Sequence, residues 1–255
     1  MHDVKRVLVA GMGMIADAVG DTCARAGFDV AVLDPTKEVT DLDAAAGRVD
    51  VVIDVADETR ASKQRLLQQL DARCSPDVLL ATSTCHHQVG RIAERCAHPE
   101  RVLGMQWSTS SAGLTRLVEI VPTAQSSRAA VSTAVQLVEA CGCCAVVYHR
   151  DVPGAVANRL RMAMFMEAIR LVDEGVASVE DVDQVARGMY RHATGPLELL
   201  DRTGLDKVAA ASAAMATFYD DDRFAAAPLL ATMLAHGRYG RECGRGFYEY
   251  ASTDH

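Results

Sequence analysis

Gly11-x-Gly13-x-x-Ala16 is the first run in this chain whose residue types and spacing could do chemistry. It follows an apolar run, Val4–Ala10, and opens a helical pattern that begins at Met14 and Ile15. In such a turn the first glycine permits the sharp reversal and the second lets the backbone approach a pyrophosphate. The third small residue allows close packing of helix on strand. The phosphates then meet the helix N-terminus, whose amides and dipole favour an anion. Asp34 closes the next apolar run, 23 residues after Gly11, where a carboxylate can bind a ribose 2′-hydroxyl. That carboxylate repels a 2′-phosphate, and no arginine follows in Pro35-Thr36-Lys37, so the expected cofactor is NAD rather than NADP.

A second group of reactive types is Ser83-Thr84-Cys85-His86-His87, directly after the apolar run Val78–Ala81. Ligands of open α/β sheets bind at such strand ends. His86 offers a base near neutral pH. Cys85 is a weak donor, and a nucleophile only if its thiol is acidified. The bland reading of the His86-His87 pair is a solvated loop. Further on, Gln106 can form hydrogen bonds but cannot take a proton, whereas Glu119 can.

These residues need elements to place them. Apolar runs at Val30–Leu33, Val49–Val55, Val78–Ala81, Arg101–Met105, Leu117–Val121 and Ala145–Tyr148 read as strands. Amphipathic stretches at Glu58–Ala72, Val89–Cys96 and Arg128–Ala140 read as helices, and Gly27 as the stop of the first helix. The alternation indicates an α/β fold, a Rossmann-type doubly wound parallel sheet. After Asp151-Val152-Pro153-Gly154 the pattern turns helical: Ala155–Gly175, Val179–Gly188, Leu197–Tyr219 and Pro228–Gly237, with a last strand pattern at Phe247–Tyr250. The expected organisation is a dinucleotide-binding domain over 1–150 and an all-helical domain over 151–255.

The composition fits a soluble globular protein: 255 residues, 49% hydrophobic and 24% charged, enough to bury a sizeable core. A net charge of −8 argues against nucleic acid as a partner. No apolar stretch is long enough to span a membrane, and the N-terminus lacks the pattern of a signal peptide, so a cytoplasmic setting is expected. Of the eight cysteines, Cys23, Cys74 and Cys96 are scattered as reduced thiols would be. Cys141-Gly142-Cys143-Cys144 has no matching pair at zinc spacing, so no metal is expected and the cluster reads as the entry to a buried strand.

Nearly the whole chain resembles the 3-hydroxyacyl-CoA dehydrogenase family, which includes the 3-hydroxybutyryl-CoA dehydrogenases. The likeness rests on Asp34, on Val52-Ile53-Asp54 running to Glu58 and Lys63, and on Ala81-Thr82-Ser83-Thr84-Cys85. It continues through Arg101–Gln106, Leu117–Glu119, Pro153-Gly154 with Asn158-Arg159-Leu160, Gly195-Pro196-Leu197-Glu198-Leu199 and Gly244-Arg245-Gly246-Phe247-Tyr248. The resemblance places Glu58 and Lys63 along bound NAD and assigns Met14, Ile15 and Ser83 to the cofactor side. It implies catalytic positions at Asn158 and at Glu119. It also implies that the helical domain serves the substrate and forms a homodimer.

The departures fall where substrate chemistry occurs. Gln106 stands where the family carries a histidine that takes the hydroxyl proton, Cys85 where it carries a serine, and Thr109 where it carries an asparagine. One residue more than usual separates Gln106 from Glu119. A helical excursion that helps hold CoA in the family is missing, since only residues 35–50 separate Asp34 from Val51. A carrier-protein thioester or a free small acid is therefore expected ahead of an acyl-CoA. Arg238, Arg241 and Arg245 offer a basic face to an acidic acyl carrier protein, or simply a solvated helix end.

The expected function is an NAD-dependent oxidoreductase on a hydroxyacyl or 3-oxoacyl substrate. Gln106 would hold the substrate oxygen, and Glu119 or His86 would accept its proton; His192 is a further candidate near Gly195-Pro196. Two alternatives stand beside it. One is an NAD-binding protein without redox turnover. The other is a non-redox enzyme acting on a β-oxo or β-hydroxy acyl group, with Cys85 as nucleophile.

Overall fold

A computed structural model describes residues 4–35, 49–56, 59–84, 87–110 and 113–250, the side chains of 109, 110 and 113 excepted. The chain forms two compact units, Met1–Ala155 and Val156–His255. Glu58, Cys85 and His86 lie outside the described residues.

In the first unit the strands are β1 (Arg6–Ala10), β2 (Asp29–Leu33), β3 (Val51–Asp54), β4 (Leu79–Thr82), β5 (Val102–Ser110), β6 (Gly113–Pro122) and β7 (Cys144–Val147). The helices are α1 (Met14–Arg25), α2 (Arg60–Arg73), α3 (Val89–Ala93) and α4 (Arg128–Ala140). The sheet order is β2-β1-β3-β4-β5-β6-β7, so the winding reverses beside β1. Strands β1 to β5 are parallel, as expected. β6, however, runs antiparallel to β5, and β7 runs parallel to β6. The physical reason is loop length: two residues between β5 and β6 can close a hairpin but not a parallel crossover.

Strand alternation sorts the core into two layers. Val7, Val9, Ile53, Met105, Trp107 and Ile120 pack with Val19 and Cys23 of α1 and Ala134 and Leu137 of α4. Leu8, Ala10, Val52, Leu80, Val102 and Val121 pack with Leu67 and Leu70 of α2 and Val89 and Ile92 of α3. Gly104, Gln106 and Glu119 alternate with the first set and so face the α2–α3 side. β7 does not run buried as expected from its sequence. It is the sheet edge and is partly exposed, with Cys143 buried just before it and Cys144 exposed. Residues 151–155 belong to the first unit because the Asp151 carboxylate accepts from the amides of Val89 and Gly90 at 2.9 and 2.7 Å, opening α3.

The second unit holds α5 (Ala157–Asp173), α6 (Val179–Tyr190), α7 (Pro196–Thr203), α8 (Leu205–Tyr219) and α9 (Pro228–Ala235). Its core includes Phe165, Met166, Ile169, Leu197, Leu200, Leu205 and Leu230. The single helix expected over Leu197–Tyr219 is two, broken at Gly204, whose φ of 96° no helix accommodates. The strand expected at Phe247–Tyr250 is also absent: the tail makes only isolated bridges, Gly240 to Arg245 and Arg245 to Glu249.

Two buried carboxylates explain this tail. Asp183, fully buried, accepts from the amides of Leu197 and Glu198 at 2.8 and 2.9 Å, and so caps α7; it also accepts from the Tyr248 hydroxyl at 2.9 Å. Asp201 accepts from the amides of Phe247 and Tyr248 at 2.8 and 2.9 Å and from the Tyr250 hydroxyl at 3.0 Å. Burial pushes the Asp201 carboxyl above its ordinary range, and these donors pull it back. Gly195 and Gly246 are needed for contact: a Cβ on either would land on the Asp183 or Asp201 carboxylate. Gly246→Ala is therefore expected to lower stability by about 2 kcal/mol or more, read by denaturant unfolding, with a smaller effect at exposed Gly188.

Candidate active site and dinucleotide-binding loop

The glycine loop sits at the reversal of the sheet, where carboxyl ends of neighbouring strands open a crevice. The amide of Gly11 donates to the Leu33 carbonyl at 2.9 Å and the amide of Val55 to the Ala10 carbonyl at 2.9 Å, which ties the loop to β2 and β3. Both glycines have positive φ, 152° at Gly11 and 85° at Gly13. Their surroundings differ. A Cβ at Gly11 would come within 2.9 Å of the Val55 backbone, whereas a Cβ at Gly13 would meet nothing within 4 Å. Gly11 thus closes the turn, and Gly13 keeps space open at the start of α1. The first-turn amides of α1 have no carbonyl partners within the helix and face this space. Met12 and Met14 are 64% and 76% exposed around it, and Ile15 is 39% exposed beside them. Covering such side chains recovers roughly 1.5–3 kcal/mol each. The open space, helix N-terminus and exposed apolar rim together fit a dinucleotide pyrophosphate, and Asp34 follows β2 directly at the same edge.

Behind the loop lies a buried ion pair. The Lys63 ammonium is 3.2 Å from Asp54 Oδ2 and donates to the Ala56 carbonyl at 3.2 Å; both side chains are essentially inaccessible. Asp54 also accepts from Thr82 Oγ1 at 2.6 Å and from the Ala56 amide at 2.9 Å. Lys63, which the family resemblance implies lies along NAD, fixes the ends of β3 and β4 through this pair. Removing one member of such a pair leaves an uncompensated buried charge, at a cost of about 3–5 kcal/mol.

Fixing those ends positions the polar residues next to them. The Ser83 amide donates to the Asp54 carbonyl at 2.7 Å, and its hydroxyl donates to Gln106 Oε1 at 2.9 Å. Gln106 lies two residues beyond Gly104, which pairs with Thr82 at the end of β4, so its side chain stands past the carboxyl end of that strand. Gly104 must be glycine because a Cβ would approach Val89 of α3 to 2.8 Å. Across the hairpin, Gln106 pairs directly with Glu119. The register shifts only beyond this pair, between Trp107 and Thr109. Glu119 is 2% exposed. Its Oε1 accepts from the phenol of Tyr148, a residue just after β7 that no sequence motif singles out.

Asn158 lies in the first turn of α5 in the second unit and accepts from Arg161. His192 follows α6, its ring 6.1 Å from that of Tyr190. The His87 amide donates to Thr84 Oγ1 at 3.2 Å. Arg238 is held by Glu249 at 2.8 Å and by the Gly246 carbonyl at 2.7 Å, and Arg245 by the Gly237 carbonyl at 3.2 Å. Those arginines thus serve the tail.

A glycine loop on a reversed parallel sheet, with an acidic residue after β2 and a polar pair at the strand ends, defines an NAD-dependent oxidoreductase. Comparison with known proteins agrees. The family model for the 3-hydroxyacyl-CoA dehydrogenase NAD binding domain matches residues 36–152, and that for the C-terminal domain matches 154–250. The chain belongs to the 3-hydroxyacyl-CoA dehydrogenase family. It is similar to a probable 3-hydroxybutyryl-CoA dehydrogenase of Bacillus subtilis, 30% identical over 97% of this chain and 98% of that one. Among solved structures it is similar to (S)-3-hydroxybutyryl-CoA dehydrogenase PaaH1 from Ralstonia eutropha (TM-score 0.89, 25% identity, 98% of this chain and 100% of that one). FadB2 of M. tuberculosis is likewise similar (TM-score 0.87, 28% identity, 98% and 100%). The Bacillus alignment runs over 283 positions against 255 residues here, so that relative carries sequence this chain lacks.

The two glycines are expected to fail differently. Gly13→Ala should weaken NAD binding at least about tenfold while costing roughly 1 kcal/mol of stability; Gly11→Ala should lose binding and cost clearly more, because its Cβ collides with Val55. Calorimetric NAD titration and thermal melting of both variants check this.

Proposed function

We propose that the chain oxidises, or in reverse forms, the β-hydroxyl of a short 3-hydroxyacyl thioester, with Glu119 as the final proton acceptor. The observation that carries the reading is the direct pairing of Gln106 with buried Glu119 at the strand ends, joined to Ser83. NAD, when bound, would supply the hydride acceptor for the carbinol carbon; the chain itself must orient the substrate and take the hydroxyl proton. Ser83 fixes the Gln106 amide by occupying its oxygen, which turns the NH₂ end into the donor for the substrate oxygen. Met14, Ile15, Asp34 and Glu58 are assigned to the cofactor, Asn158 to substrate positioning, Cys85 to the substrate oxygen in place of the family serine, and His86 is the alternative proton acceptor.

The names of the relatives favour CoA as the carrier. The short segment between Asp34 and Val51 favours a carrier that needs less protein around its adenosine end, such as acyl carrier protein. We further assign self-association to the exposed face of α6 formed by Val185, Met189 and Tyr190, and place the activity in the cytoplasm. One second reading has a specific motive: with Gln106 in place of a base, the chain would bind NAD without turning over.

NADH formation measured with 3-hydroxybutyryl thioesters of CoA, pantetheine and acyl carrier protein separates the two. Turnover on at least one is expected. Gln106→His should raise kcat, since a general base contributes about 10²–10⁴-fold. Tight NAD binding with no turnover in either form would establish the second reading.

A further inference from the structure

Three cysteines of the first unit gather where α1 meets the end of α4. Cys23, 0% exposed, lies on the packed face of α1 in one core layer with Ala16 and Val19. Cys141 follows the last turn of α4 and is half-buried. Its amide donates to the Leu137 carbonyl at 3.0 Å. Gly142, at φ 69°, then turns the chain so that the Cys143 amide donates to the Val138 carbonyl at 3.1 Å. In this turn the Cys141 sulfur stands 3.9 Å from that of Cys23, a residue 118 positions away in sequence. Cys143 is buried beside them, its thiol donating to the Cys141 carbonyl at 3.7 Å. The paired thiols are unequal. Contact with Cys141, and burial, hold the Cys23 thiol far above its ordinary range. The same contact lowers the Cys141 thiol, against the opposing effect of burial. A shared proton therefore stays on the sealed sulfur, and the charge falls on the one nearer water. Cys141 also lines an open cavity of about 590 Å³ with Arg25, Arg116 and Cys143, through which a small solute reaches it.

We propose that Cys141 and Cys23 are a peroxide-oxidised thiol pair, Cys141 the attacking and Cys23 the resolving sulfur, whose disulfide ties the dinucleotide helix α1 to the end of α4. The oxidant is hydrogen peroxide, which the cavity admits. The Cys141 thiolate attacks one peroxide oxygen, the O–O bond breaks, and the second oxygen leaves as hydroxide, which takes up the proton Cys141 has released. Cys141 is now a sulfenic acid. The Cys23 sulfur attacks it, the S–O bond breaks, and the departing hydroxide takes the Cys23 proton. Two thiols have lost two electrons and the peroxide has become two waters. The sulfurs must close from 3.9 Å to about 2.0 Å. Cys141 sits in a helix-end turn rather than in a strand or helix, so that turn absorbs the movement more easily than α1 does. Burial of Cys23 keeps it from reacting with peroxide itself and leaves it as the resolving partner.

The test treats the reduced full-length chain with hydrogen peroxide, digests it with trypsin without reductant and maps the cross-links by mass spectrometry. Cleavage after Arg6 and Arg25 leaves Cys23 as the one cysteine of its peptide, so any bridge to it is identified directly. Wild type is expected to join that peptide to the one holding Cys141. Cys143→Ser should keep the bridge, and Cys141→Ser should lose it while remaining folded, since its side chain is only half-buried. The bridge closes a long loop, so treated wild type should melt about 5 °C or more above reduced wild type, reversibly with reductant, and treated Cys141→Ser should show no such rise. Peroxide treatment that leaves the Cys23 peptide unbridged, or takes Cys141 to the sulfinic acid instead, would overturn the proposal. A bridge from Cys23 that survives Cys141→Ser would overturn it too, and so would a bridged wild type that melts no higher than the reduced form.

Discussion

A carboxylate buried in the body of a sheet has to be paired, because unpaired burial of a charge costs several kcal/mol. Glu119 sets that requirement for the β5–β6–β7 side of this protein. The hairpin register brings Gln106 opposite it, and the parallel step to β7 brings the Tyr148 phenol onto it. The second buried acid of the sheet, Asp54, does the same for the opposite side. Its bonds to Lys63, Thr82 and the Ala56 amide hold the strand ends from which Ser83 reaches Gln106. The two buried carboxylates of the helical unit, Asp183 and Asp201, follow the same rule, each satisfied by two backbone amides and at least one tyrosine hydroxyl. Among the described residues these acids, with Asp71 paired to Arg101, thus organise the polar framework of both units.

Much of this was legible in the sequence. The glycine spacing and Asp34 announced the dinucleotide loop because glycine conformational freedom and charge leave few other readings of that pattern. The strands β1 to β5 followed from apolar runs with turn signals between them. What escaped was whatever depends on long-range pairing. The antiparallel course of β6 follows from its short link to β5, which the apolar runs Arg101–Met105 and Leu117–Val121 hide because they stop well short of the strand ends at Ser110 and Gly113; the edge position of β7 is a property of the whole sheet. Tyr148 was invisible for the same reason. It joins the site through a register with Glu119 29 positions away in sequence.

Lys63 shows a motif residue to which the fold gives a structural part that the motif does not announce. Family resemblance implies a place along NAD, and the fold pairs its ammonium with buried Asp54. The tail stretch Gly244–Tyr248 carries part of the family resemblance, and its part in the fold is steric and structural, since Gly246 admits the Asp201 carboxylate and Tyr248 links it to Asp183. A motif can mark a protein family strongly while its residues do no chemistry.

The central claim is that this fold, with glutamine at 106, still transfers hydride from a β-hydroxyl carbon to NAD. Its most direct measurement follows the label from 3-hydroxybutyryl thioester deuterated at C3 into the cofactor by mass spectrometry. Reduced cofactor carrying one deuterium at the nicotinamide C4 is predicted. Product formed without deuterium in the cofactor, or reduced cofactor that never acquires the label, would contradict the account.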